Sequence, residues 1–131
     1  MTYGKGEIRY EADDKHRKIV LDYFGFNDKT RALSNNGDKE GKEEEWEKEE
    51  LGREEAKEFR ASAARLNFLG QDRTDIQQAC KTICTYMSKP HKGYCGLLKR
   101  AARYLKGRQR CIQHFPFTGK PVTIEGFADS D

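Results

Sequence analysis

The apolar positions along the chain change period several times, and each change marks an element. In Glu7-Ile8-Arg9-Tyr10-Glu11-Ala12 apolar and charged residues alternate, which predicts a half-buried strand. Asp13 or Asp14 then suits the cap of a short helix with Ile19, Val20, Tyr23 and Phe24 on one side, and Gly25 suits its end. A helix is predicted over 54–69, where Ala56, Phe59, Ala63 and Leu66 recur three or four apart. A second opens at Thr74-Asp75-Ile76-Gln77, which reads as a capping box. It would bury Ile76, Cys80, Ile83 and Met87 and end before Pro90. A third starts near Gly93, buries Tyr94, Leu97, Leu98, Ala101 and Leu105, and has Gly107 in the C-cap position. Two strand-like runs follow, 111–115 and 122–127, separated by Pro116, Gly119 and Pro121. The predicted fold class is α+β, mainly helical, with short strands at both ends and incomplete domains.

Between the first helix and the other three, apolar periodicity vanishes. Residues 30–53 are turn-rich and then almost pure Glu and Lys, and from Asn35 to Gly52 only Trp46 and Leu51 offer apolar area. Ordering such a stretch costs roughly 1–2 kcal/mol per residue and buries little in return, so it reads as an acidic, disordered linker. The division expected is therefore 1–29, the linker 30–53, a helical region 54–110, and 111–131.

Composition sharpens this picture through charge. Of 131 residues 35% are hydrophobic and 36% charged, so the core must be small. The net charge of +3 conceals a polarity. Residues 38–58 hold eleven acids and five bases, whereas 59–124 hold thirteen Lys or Arg against Asp72 and Asp75. The natural partner of the second stretch is a polyanion. No apolar run is long enough to span a membrane, and no apolar stretch follows Met1. Cys80, Cys84, Cys95 and Cys111 therefore read as reduced thiols of an intracellular protein, cytoplasmic or nuclear.

The polyanion has an obvious place to sit. Lys99, Arg103 and Lys106 share the helical face opposite Leu97, Leu98, Ala101 and Leu105, Arg100 borders it, and Arg108 and Arg110 prolong it. One face of a four-turn helix can meet several phosphates, which gives affinity without choice of sequence. Chemistry is scarcer. Cys80, Cys84, His91 and Cys95 match no common structural zinc spacing, and Cys80 falls on an apolar face where a free thiol acts as a small hydrophobe. His16, His91 and His114 form no arguable triad, and no phosphate-binding loop of the P-loop type occurs. Asp129 and Asp131 close an apolar run, a position from which a carboxylate can hold Mg2+ when other segments supply further oxygens.

Four stretches, in order, resemble the Pol polyprotein of copia-type long-terminal-repeat retrotransposons. Residues 6–16 resemble the segment after the reverse-transcriptase palm. Residues 66–77, with Leu66-Asn67-Phe68-Leu69-Gly70-Gln71, are similar to a second conserved segment. Met87-Ser88-Lys89-Pro90, followed by Leu98-Lys99-Arg100 and Arg103-Tyr104-Leu105-Lys106-Gly107, resembles the MSxP and LKRxxRYLKG motifs. Residues 124–131 resemble the first strand of the RNase H domain.

The resemblance implies a thumb and connection fragment that grips an RNA–DNA template–primer or other duplex beside the remainder of the polyprotein. It also implies that the polymerase carboxylates lie in a Tyr-x-Asp-Asp hairpin upstream of residue 1. Asp129 would be a first RNase H carboxylate and Mg2+ ligand whose partners lie beyond residue 131, so the fragment by itself would carry no cofactor and no complete catalytic site. Thr74 stands where that family usually has Pro, and Gly70 where it has Ala. A reading from a different class is a host-encoded helical protein-interaction module whose acidic linker binds a partner.

Overall fold

In a computed structural model the described residues are 1–26, 31–33 and 48–129. By its contacts the chain divides into two compact units, one of Met1–Tyr10 with Ile112–Asp131 and one of Glu11–Cys111. The fold is α+β and mainly helical, as its periodicity predicts.

The first unit is a three-stranded antiparallel sheet in the order β1-β2-β3, with β1 Thr2–Gly4, β2 Glu7–Glu11 and β3 Ile112–Pro116. A hairpin through Lys5 and Gly6 pairs Thr2 with Arg9 and Tyr3 with Ile8, and Gly6 supplies the positive φ of 89° that the turn needs. Alternation in residues 7–12 announces β2, whereas β1 is too short and too rich in Gly to show a period. The run 122–127, expected as a strand, has no regular structure. Val122, Ile124 and Phe127 are 95%, 98% and 95% exposed. Alternation gives a strand one apolar edge, but hydrogen-bonding neighbours make it a strand, and this run has none among the described residues.

Among the described residues the second unit holds four α-helices: α1 Asp14–Phe24, α2 Arg53–Gly70, α3 Gln77–Thr85 and α4 Lys92–Gly107. None of them is long and apolar enough to cross a membrane. The ends of α1 follow the sequence closely. Asp13 caps it by accepting from the Lys15 amide at 2.9 Å, and Gly25 closes it in the left-handed region. Ala56, Phe59, Ala63 and Leu66 of α2 are buried with Ile76, Cys80, Ile83, Leu98, Ala101 and Leu105 in one core. α1 packs on α2 and α4, so the helix expected to belong with residues 1–29 shares its core with those of 54–110.

Three expectations are corrected. Thr74–Ile76 form a 3-10 turn with no side-chain cap, not a capping box; the Thr74 hydroxyl lies 4.0 Å from the Cys111 thiol and Asp75 pairs with Arg73. Gly107 is the last residue of α4 and not a left-handed C-cap. A Cβ there would lie 2.9 Å from the Ala32 Cβ, so its missing side chain makes room for a passing segment. Finally, residues 49–51, expected as linker, bridge backbone to backbone with 90–92. Leu51 N donates to Pro90 O and Lys92 N to Glu49 O, each at 3.0 Å. Trp46 and the rest of 34–47 lie outside the described residues.

At Gly70, the end of α2 lies directly against Cys80 of α3. A Cβ at that position would meet the Cys80 Sγ at 2.9 Å. Gly70→Ala should therefore destabilise the protein by about 1–3 kcal/mol, through overpacking, despite the better helix propensity of Ala. In a Cys80→Ala background the same change should be neutral or stabilising. Urea unfolding of the four proteins measures the coupling, and equal losses in both backgrounds would rule out the steric account.

Candidate nucleic-acid interface

Whether α4 can present charge depends first on what fixes it. Leu98, Ala101, Ala102 and Leu105 are buried along one side. Its C-terminal carbonyls have no helical partners and carry the negative end of the helix dipole. Two buried arginines from other segments cover that end. Arg17, on α1, donates from Nη1 to Leu105 O at 3.3 Å. Arg73, only 2% exposed, donates from Nη1 to Arg108 O at 2.9 Å and to Gln109 O at 3.4 Å.

Each arginine is aimed by a carboxylate. Arg17 Nε donates to Asp14 Oδ1 at 2.5 Å. Arg73 makes a two-pronged pair with Asp75, Nε to Oδ1 at 3.1 Å and Nη2 to Oδ2 at 2.5 Å, and the Tyr104 hydroxyl of α4 donates to Oδ2 at 3.0 Å. Burial by itself would raise the Asp75 carboxyl. The Arg73 guanidinium and the Tyr104 hydroxyl outweigh it and hold the group below the ordinary carboxylate range. The hydrogen bond from Arg17 does the same for Asp14.

Against this frame the six basic residues of the predicted stripe separate. Lys99 and Arg108 are exposed and make no ion pair among the described residues. Arg100 and Lys106 are half-buried and engaged within the protein. Arg103 donates from Nε to the Arg31 carbonyl at 2.7 Å. Arg110 grips Glu11 with two bonds, of 2.6 and 2.8 Å, and that pairing lowers the Glu11 carboxyl. The stripe is thus open at Lys99 and Arg108, covered by backbone at Arg103, and neutralised at Arg110.

The thiols and the terminal acid stand apart, the thiols in the second unit and the acid in the first. Cys80 donates to Leu66 O at 3.2 Å, and burial pushes it up to about 12, so it is a small core residue. All four cysteines are free. Asp129 is exposed in the irregular C-terminal stretch, and no group of three His, Cys, Asp or Glu side chains gathers among the described residues.

Sequence reading missed Arg17, Arg73, Asp75 and Tyr104 as a set, and it missed Arg60, whose Nε and Nη2 donate to Met87 O and Ser88 O at 2.7 and 3.1 Å. The available signal was local: an Asp two residues after Arg73, and another three before Arg17.

Arg73→Met should leave Asp75 without its partner and cost about 3–5 kcal/mol, as when one half of a buried ion pair is removed. Because Asp75 and Asp14 are lowered in the fold, the stability they contribute is present above the unfolded carboxylate pKa, about 4, and is lost as the pH falls through their folded values. The stability gap between the native chain and Asp75→Asn should therefore be widest near neutrality and close on acidification. A gap independent of pH in thermal unfolding from pH 2 to 7 would contradict this.

A scan against protein-family models, a search of curated proteins and a search of solved structures each return no match, so the reading of this interface rests on its own residues.

Proposed function

We propose that this chain grips duplex nucleic acid through the outer side of α4, as the thumb and connection piece of a copia-type retroelement reverse transcriptase. The substrate in that reading is an RNA–DNA template–primer, and the partner is the remainder of the polyprotein. The observation that carries it is Lys99 on α4 and Arg108 just past its end, both exposed and without an ion pair among the described residues, where two buried arginines hold that end. No acid occurs between Asp75 and Glu125 to compete for them. Charges on a rigid support lose little entropy on meeting phosphates, and phosphate contacts confer grip without sequence choice. The role proposed is retention of template–primer; Mg2+ catalysis of strand cleavage would need several oxygens from separate segments beside Asp129.

Binding to an RNA–DNA hybrid should weaken with salt by a slope of about 0.9 per phosphate neutralised. Replacing Lys99 and Arg108 by Gln should flatten that slope by about two contacts, reduce affinity for all sequences alike and leave helicity intact, since Gln propagates a helix nearly as well. An unchanged slope in the folded double variant would move the interface elsewhere and favour the protein-interaction reading. With Mg2+, dNTPs and a primed RNA template, the purified chain should neither extend the primer nor cleave the hybrid. Activity that survives repurification and disappears in Asp129→Ala would overturn the fragment reading.

A further inference from the structure

We infer that residues 31–33 form a strap that occupies the phosphate position of Arg103 and must leave before nucleic acid can use it, an autoinhibitory contact resting on the nucleic-acid reading of α4. Three observations converge on one turn of the helix. The Arg103 guanidinium donates from Nε to the Arg31 carbonyl at 2.7 Å. The Leu33 amide donates to Arg103 O at 3.3 Å. The third is the close pass at Gly107, where any side chain would strike Ala32, its Cβ lying 2.9 Å from the Ala32 Cβ and 3.6 Å from Leu33 O. The segment therefore lies across the turn that carries Arg103 and Gly107, and it fits there because residue 107 has no side chain.

The chemistry of the contact makes it displaceable. A backbone carbonyl satisfies one guanidinium donor but brings no negative charge, so Arg103 keeps its full charge beneath the strap. A phosphate oxygen on the same donor adds an opposite charge to the cationic guanidinium, and so makes a stronger bond than an uncharged carbonyl does. Nucleic acid can thus replace the carbonyl, whereas neutral solvent or a weakly binding anion has less to gain. The strap is held by hydrogen bonds without a negatively charged partner and by close packing, so its displacement costs a free energy that salt barely alters. It reduces the apparent affinity by the fraction of molecules in which Arg103 is uncovered.

That independence from salt gives the test its signature. In the full chain, Gly107→Ala pushes the strap away, and Leu33→Pro removes its amide donor without touching α4. Affinity for a fluorescein-labelled RNA–DNA duplex, measured by anisotropy from about 50 to 200 mM NaCl, should tighten in both variants by about three- to tenfold. Their plots of log affinity against log salt should run parallel to that of the native chain. The gain should disappear when Arg103→Gln is added. If the native chain and both variants all fail to bind the duplex at low salt, the nucleic-acid reading of α4 falls and the strap's role falls with it. If the native chain binds with a steep salt slope but neither folded variant tightens, or the gain persists with Arg103→Gln, the strap is refuted while the grip stands. Should Gly107→Ala unfold the chain, Leu33→Pro alone decides.

Discussion

The carbonyls left unpaired at the end of α4 set the terms for the second unit. They need donors, the helix dipole favours positive ones, and the chain answers with the buried guanidinium of Arg17 at Leu105 O, while that of Arg73 takes the carbonyls of Arg108 and Gln109 just past the helix. Burying a guanidinium requires a carboxylate beside it, which Asp14 and Asp75 supply, and Tyr104 completes the second pair from α4 itself. These few bonds tie α1, the turn after α2 and the end of α4 together. The hydrophobic core brings the helices into contact without fixing how far each may slide, because apolar contact is non-directional. The directional bonds at the end of α4 fix that.

Arginine in this chain is therefore two residues in one. Arg17, Arg60, Arg73 and Arg103 each end on a backbone carbonyl, and Arg110 on a carboxylate. Lysine, a flexible point charge, is less suited to reaching several carbonyls from one planar fork. The excess of positive charge over 59–124 divides accordingly. Part of it holds the helices in place, and part, at Lys99 and Arg108, is exposed without an ion pair among the described residues. A grip of the kind proposed would need no pocket, only charges beside a support held in place, and the bonds from Arg17 and Arg73 hold the C-terminal end of α4.

Much of the fold is legible in the sequence. The helical periods place Ala56, Phe59, Ala63, Leu66, Ile83 and Leu98 in the core, and the Asp13 and Gly25 signals mark the ends of α1 because caps depend on neighbours within one turn. The readings that fail do so where a distant residue outbids a local one. Thr74 and Gln77 carry the pattern of a capping box, yet no side chain caps the turn there and the Thr74 hydroxyl lies against Cys111, far along the chain. Gly107 looks like a C-cap until Ala32 is seen beside it. The run from Val122 to Phe127 has a strand's alternation and lacks the neighbour that would make it one.

The sequence by itself determined which stretches are helical, which faces are apolar, and that residues 76–124 carry positive charge with no acid among them. All of these follow from composition and from periods of two or 3.6, which act over a few residues. Only the tertiary structure decided which positive charges are open to solvent. That depends on whether a carbonyl or carboxylate from elsewhere in the chain reaches the same guanidinium. Lys99 and Arg103, four residues apart on one helix, are alike in pattern and differ because the backbone at Arg31, 72 positions away from Arg103, lies against one of them.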